Sequence, residues 1–356
     1  MKKWYEESGK QEDVIVSTRI RLIRNLREYP FPVKMSHEDR FALIARVTGA
    51  VEDGNLSLPV ALRFLNMERL SKAEAVSLAE RHITNPEFIA ECDGRGVFLS
   101  DDESVSILLN SENHIQIQVL GKGMDLYGIY EEADRLDTIL DKSLHFAFDE
   151  VLGFLTQSLE NLGTGMRASL ILHLPALMEG GEIGRMSANL SKLGLALHGI
   201  YGAGAQPKGA MYQLSNQVSL GLTEQEAIAN LDRIAMQVIS QERSQRRSLA
   251  EKLEVQDAVS RSLAVLQSAR VLASDEFMSL MSNVRFGISA GLVSNLDYAD
   301  VDGLTLRVQP ATLVLSSGKQ LTLCELDALR AQVVASTLKN RLNREEKQNG
   351  RIQGNE

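Results

Sequence analysis

The spacing of apolar residues changes repeatedly along the chain, and each change predicts an element. After a short polar leader, "DVIVSTRIRLIRNL" opens as a β-rich run at Val14 to Val16 and then carries Arg19, Arg21 and Arg24. Arg19 and Arg21 are two residues apart, so they share one side if the segment stays extended. Residues 37 to 83 place apolar side chains three and four apart in "EDRFALIARVTGAV" and "KAEAVSLAERHI", the helical period. Ser71 with Glu74 has the form of a capping box. "GVFLS", "SVSILLN" and "HIQIQVL" then alternate in part between turn residues, as in an antiparallel meander.

A long amphipathic stretch, Asp125 to Lys142, precedes "NLGTGMRASLILHLP", whose apolar run reads as a buried strand. A helix near 182 to 193 and the strand-like "LALHGIY" and "AMYQLSN" complete this part. From Thr223 the character changes: one long helix is predicted, with Thr223 as N-cap and Glu226 three residues on. Further helical patterns cover 255 to 292 and 325 to 344, and only "LTLRVQPATLVLSS" reads as extended.

The expected fold class is α+β, an antiparallel sheet flanked by helices and followed by a smaller helical domain. At 356 residues the chain exceeds the size of one core. The boundary is placed near 245, giving a catalytic-type domain over 1–245 and a helical one over 246–356.

Charge and composition narrow the function. A formal net charge of -9 argues against broad binding to nucleic acid or anionic membrane. No apolar run approaches the roughly 20 residues of a membrane span. The leader lacks an apolar signal core, and the two cysteines, Cys92 and Cys324, are far apart with no metal spacing. A cytoplasmic location is the expectation. Any bound anion must then meet a local cluster of positive charge.

Several segments offer such chemistry, each with a plainer reading. Arg19 and Arg21 could fork onto phosphate oxygens or line a solvated edge strand. Glu112, between Asn110, Asn113 and His114, could hold a cation or simply belong to a polar turn. Gly163 and Gly165 could admit a ligand close to the backbone ahead of Arg167, which is either an anion-binding finger or a surface charge. The loop with Gly199, Gly202, Gly204 and Gly209 is a flap or a long hairpin, and its spacing is not a Walker pattern. His198 before it is a ligand or a packed histidine. No zinc spacing, dinucleotide fingerprint or Ser/His/Asp signature occurs, so no protein-held metal is expected.

Taken in order, "VSTRIRLIRNLREYPFP", "NSENHIQIQ", "NLGTGMRASLILHLPAL", "LHGIYGAGA" and "QLSNQVSLGLTE" resemble the phosphagen (guanidino) kinase superfamily, and within it the bacterial protein-arginine kinases. The resemblance implies ATP carried with magnesium. It implies ATP contacts from Ser17, Thr18, Arg19, Ile20 and Arg21, from His82, and from Arg167, Ala168, Ser169, Leu170 and Ile171. Glu112 matches a glutamate that grips the substrate guanidinium, the substrates being arginine side chains or phosphoarginine proteins. A homodimer and a Clp-type protease system as partner are implied too. Free-arginine and creatine-type kinases fit less well, because their small helical domain usually comes first.

The departures bear on activity. Gln116 and His198 stand where the family has arginines, Ala203 where it has a second guanidinium-gripping glutamate, and Ser158 where it has a reactive cysteine. In the C-terminal domain Leu326 replaces one arginine of a phosphoarginine-binding pattern whose other members are Asp327, Arg330 and Ala331. Each lost charged stabiliser costs roughly 10²–10³ in rate. Two readings follow: a protein-arginine kinase of weak or lost activity, or a pseudokinase keeping fold and nucleotide affinity as an adaptor in protein quality control.

Overall fold

The structure is a computed structural model and describes residues 2–52, 58–200 and 207–352. Eight strands form one antiparallel sheet: β1 (Ile15–Arg24), β2 (Leu62–Asn66), β3 (Gly96–Ser100), β4 (Val105–Leu109), β5 (Ile115–Lys122), β8 (Met166–His173), β9 (Leu195–Gly199) and β10 (Met211–Asn216). Their spatial order is β2-β3-β4-β5-β1-β8-β10-β9. A small hairpin, β6 (Phe148–Asp149) with β7 (Gly153–Phe154), stands apart. The meander read from residues 96 to 120 is present, and β1 lies at the centre, between β5 and β8.

The helices settle on the two faces unequally. One face carries the main apolar core, closed by α1 (His37–Glu52), α4 (Leu126–Leu144) and α7 (Glu224–Ala250), through Leu43, Leu136 and Leu231 among others. The opposite face is covered at the β2–β4 end, where α2 (Lys72–Glu80) and α3 (Pro86–Ala90) bury Leu78, Ile83 and Phe88 against Val97, Leu99 and Leu108, and at Leu120 of β5, which packs with Trp4, Tyr5 and Leu306. The rest of that face, over β1, β8 and β10, is left for a cleft. Helices α5 (Pro175–Glu179) and α6 (Ile183–Ser191) join β8 to β9.

Both predicted capping boxes form: Ser71 Oγ accepts the Glu74 amide, and Thr223 Oγ1 accepts that of Glu226. They fix where α2 and α7 begin, which a polar residue three ahead of a glutamate specifies locally.

The described residues that follow form helices: α8 (Leu253–Ser268), α9 (Ser274–Ser289), α10 (Tyr298–Arg307), α11 (Pro310–Ser317) and α12 (Leu323–Ile352). They surround a second core containing Phe277, Leu304 and Val334. Two expectations are corrected. Within 37–83, read as helical, Leu62–Asn66 is an edge strand pairing Phe64 with Phe98. "LTLRVQPATLVLSS", read as extended, is the end of α10 plus α11. Proline at the start of α11 and left-handed Gly318 at its end set that helix despite β-branched content.

Where the helical part meets the sheet lies a buried ionic seam. Arg285, fully buried, donates to Asp302 and to the carbonyls of Glu12 and Asp13. Lys122 pairs with the same Asp302, and Arg246 pairs with Glu242 and donates to the His173 carbonyl. No helix among the described residues is long and apolar enough to cross a membrane.

Candidate active site

Strand alternation decides which predicted residues reach the open face. Thr18, Ile20, Ala168 and Leu170 are buried, with Ile20, Ala168 and Leu170 in the main core and the Thr18 hydroxyl donating to the Gly123 carbonyl at 2.7 Å. Their side chains therefore point away from the cleft. Ser17, Arg19 and Arg21, with Arg167, Ser169 and Ile171, take the other face.

Register then brings the cations together. Arg21 is the direct cross-strand partner of Arg167, and Arg19 that of Ser169. Arg21 and Arg167 line a cleft of 1190 Å³ over the sheet. Arg167 donates to the Asn216 carbonyl at 2.8 Å, to Asn161 at 3.3 Å and to the exposed Glu160 at 3.1 Å. Arg19 has neutral partners only, Gln213 at 2.8 Å and Ser169 at 3.3 Å.

Among the described residues Arg21 has no hydrogen-bond partner, and its Nε is buried. Burial, then Arg19 and Arg167, push its guanidinium down to about 9. Burial alone brings Arg19 to about 10. Arg21 and Arg167 thus share a partly dry wall with one exposed carboxylate, and Arg19 stands next to Arg21 on the same strand face without lining the cleft. Such an arrangement is costly unless an anion completes it.

Beside this wall stands Glu112, exposed, with no hydrogen-bond partner among the described residues, in the turn between β4 and β5. Its polar neighbours are structural. Asn110, left-handed at φ 57°, donates to the carbonyls of Arg40 at 3.0 Å and Gly94 at 2.8 Å. Asn113 accepts from Asn25 and from the Gln157 amide. His114 Nδ1 accepts the Leu26 amide at 3.0 Å, so its proton sits on Nε2, 2.8 Å from the Pro30 carbonyl. These bonds lock the turn and leave Glu112 standing free in the cleft.

The glycines before Arg167 also have a different purpose from the one predicted. A Cβ on Gly163, at φ 108°, would sit 2.3 Å from the Ser219 carbonyl oxygen. One on Gly165, at φ 59°, would meet Arg24 and the Ile23 carbonyl at 2.6 Å. They admit neighbouring chain, not ligand, and so fix the strand entry that aims Arg167.

Two family models match in succession. One, described as ATP:guanido phosphotransferase, C-terminal catalytic domain, covers residues 43–245. The other, described as Protein-arginine kinase McsB C-terminal domain, covers residues 252–350. The protein-arginine kinase of Symbiobacterium thermophilum is 40% identical over 339 residues, which span 94% of this chain and 96% of that one. That of Halothermothrix orenii is 38% identical over 337 residues, again 94% and 96%. The chain belongs to the protein-arginine kinase family.

Solved structures place this family member in the guanidino kinase fold. Lombricine kinase is 20% identical with a TM-score of 0.57, over 67% of this chain and 70% of that one. The duplicated taurocyamine kinase from Schistosoma mansoni with bound transition state analog components is 22% identical with a TM-score of 0.58, over 72% and 39%.

Among the departures, Gln116, Ser158 and His198 line the cleft, with His198 Nδ1 3.0 Å from the Gly199 carbonyl oxygen. Ala203 lies outside the described residues. His82 is left-handed at φ 64°, and burial followed by Arg19 pushes its imidazole down to about 4.

The motif in the helical region is closed. Arg330 is 1% exposed and donates to the carbonyls of Leu272 at 2.7 Å and Val308 at 3.2 Å, and to Asp327. Ala331 and Leu326 are buried in the second core.

Sequence reasoning missed Gln213, Asn161 and Glu160, which orient the two outer arginines. Gln213 was within reach, because it alternates with buried Tyr212 and Leu214 on β10. The other two act from a single 3-10 turn, Leu159–Asn161, too short to show a period.

Proposed function

We propose that this chain binds magnesium-ATP against Arg19, Arg21 and Arg167 and transfers the terminal phosphoryl group to arginine side chains of proteins, slowly. The observation that carries this is Arg21, a half-buried cation with its Nε buried and no partner among the described residues, beside Arg19 and Arg167. A triphosphate supplies the missing acceptors. Among the described residues, no group of three or more His, Cys, Asp or Glu side chains could hold a metal. Magnesium would therefore arrive on the nucleotide, where it would neutralise phosphate charge.

The protein's task is positioning. Glu112 holds the acceptor guanidinium so that one nitrogen faces the terminal phosphorus, in line with the leaving oxygen of ADP. The N–P bond forms as the P–O bond to ADP breaks, and the guanidinium gives up a proton by way of the Glu112 carboxylate to solvent. Gln116, His198 and Ala203 add no fixed positive charge and no second carboxylate, so the acceptor is gripped from one side and turnover is low. Purified protein with magnesium-ATP and an arginine-rich substrate is expected to yield acid-labile phosphoarginine, and Ala203→Glu to raise the rate by roughly 10²-fold. Absence of phosphoarginine under conditions where an active relative forms it rejects the catalytic reading.

A second reading, a nucleotide-binding regulator without turnover, is favoured by where the departures fall. They sit at positions of chemistry, while Arg19, Arg21 and Arg167 are intact. Calorimetric ATP binding without product formation would select it. Turnover abolished by Arg167→Ala would exclude it.

In this proposal the division lies near 245, in the last turns of α7, and residues 246–356 form the dimerising part. Leu253 is 77% exposed and Leu323 75%, apolar surface suited to a second copy. Sedimentation is expected to give a dimer at micromolar concentration, and monomer alone would count against it. A cytoplasmic setting with a Clp-type protease system acting on the marked proteins follows from the resemblance.

A further inference from the structure

The last residue of α2 is an acid whose partners all belong to the C-terminal region. Glu80 Oε1 accepts the backbone N–H of Ala311 at 2.9 Å. Its Oε2 accepts the N–H of Thr312 at 2.9 Å and the Thr312 hydroxyl at 3.0 Å. Ser77, nearly one turn earlier on α2, lies 3.0 Å from that same hydroxyl. Those amides are the first turn of α11, where donors lack helical partners and the dipole favours negative charge. Gln309, at the N-cap of α11, makes no side-chain cap bond, so Glu80 fills that role from another part of the chain.

Two residues past Glu80 the chain reaches His82, whose positive φ is strained for a non-glycine residue. Its carbonyl accepts from Gln118 Nε2 at 2.9 Å, and the same group reaches the Ile83 carbonyl at 3.2 Å. Gln118 is the cross-strand partner of Arg21. The imidazole itself feels Arg19. A short run of chain thus joins α11 on one side to Arg21 in the cleft wall and its strand neighbour Arg19 on the other.

We infer that Glu80 is a positioning residue: by fastening α2 to α11 it holds the His82 turn where that turn and Gln118 brace Arg19 and Arg21. The C-terminal helical region therefore takes part in setting nucleotide affinity, through a contact on the far side of α2 from the cleft. This inference rests on the nucleotide reading proposed above.

The test is a double-mutant cycle on the full chain, with magnesium-ADP binding measured by calorimetry. Glu80→Gln is expected to weaken binding roughly three- to thirty-fold. The loss should largely vanish in a His82→Ala background, because the two residues act along one route. Thr312→Val, which keeps both backbone contacts, should give a smaller loss that also vanishes there. Equal losses in both backgrounds for Thr312→Val, or no loss for either variant, overturn the inference. A readout free of nucleotide is the His82 ring titration by NMR, expected to move up toward an ordinary imidazole in Glu80→Gln. An unmoved titration also overturns it. Should wild type bind no nucleotide, the functional reading falls by itself, and the ring titration still decides whether Glu80 holds the turn.

Discussion

Arg21→Met is expected to cut magnesium-ATP affinity roughly ten- to hundredfold, the worth of a charge-assisted contact, while the free protein melts at or above the wild-type temperature. The two halves of this outcome have one cause. In the free protein Arg21 makes no hydrogen bond to the described residues, has a buried Nε, and faces Arg167 directly with Arg19 nearby. Its charge is penalised by burial and by two like neighbours, so removing it relieves the fold. Methionine keeps the apolar stem that packs against the sheet. Only when a triphosphate is present does the guanidinium have work to do. Where turnover is measurable, the rate should fall by roughly 10²–10³. Arg167→Ala is a poorer probe, because it also strands the Asn216 carbonyl and Glu160. Thermal melting with and without magnesium-ATP separates the effects: nucleotide should raise the wild-type melting temperature and leave that of the variant nearly still. A variant that melts several degrees lower and binds as before would make Arg21 a structural residue.

Much of this site could be read from β1 and β8, because alternation is local. Once Arg19 and Arg21 are on an extended segment they must share a face, and so must Arg167, Ser169 and Ile171. What alternation does not provide is register. That Arg21 meets Arg167 follows from the β1–β8 pairing, which is set by loops and by the core beneath. The same local logic located the capping boxes at Ser71 and Thr223 and failed at α11. "PATLVLSS" has strand-like composition, and its helix is capped by Glu80, over two hundred residues away in sequence. The strand Leu62–Asn66 was lost for a related reason. It is only half-buried, and its identity comes from lying against β3. Gly163 and Gly165 were correctly singled out but for the wrong neighbour, since a sequence cannot say whether close approach is by ligand or by chain. Around Glu112 the polar set divides: Asn113 and His114 serve the turn, and the glutamate that the sequence singled out is left exposed.

Arg285→Met is expected to destabilise the fold by about 3–5 kcal/mol, the cost of breaking a buried ion pair from one side. Arg285 is fully buried, donates to Asp302 Oδ1 at 2.9 Å and to the Asp13 carbonyl at 2.9 Å, and lies over the Tyr298 ring at 4.9 Å. Its loss leaves the Glu12 carbonyl without its donor, the Asp13 carbonyl with Arg246 alone, and Asp302 with Lys122 alone. Burial pushes the Asp302 carboxyl up, but Arg285 and Lys122 outweigh it, so it lies below the ordinary carboxylate range. A carboxyl held low contributes stability that is full above its unfolded value and lost as pH falls through its folded one. In the variant that carboxyl rises, so acid unfolding should begin at higher pH than in wild type. Asp302→Asn should cost a comparable amount, and the double variant much less than the sum, since each change disrupts the same network. Calorimetric melts and acid titrations of the four proteins measure all of this; additive losses, or a cost below about 1 kcal/mol for Arg285→Met, would mean the seam is a surface-like pairing. The carbonyls at stake belong to Glu12 and Asp13, the residues that lead into β1. The arginine of the helical region therefore anchors the strand that carries Arg19 and Arg21, and a seam variant should loosen the nucleotide wall even where the fold survives.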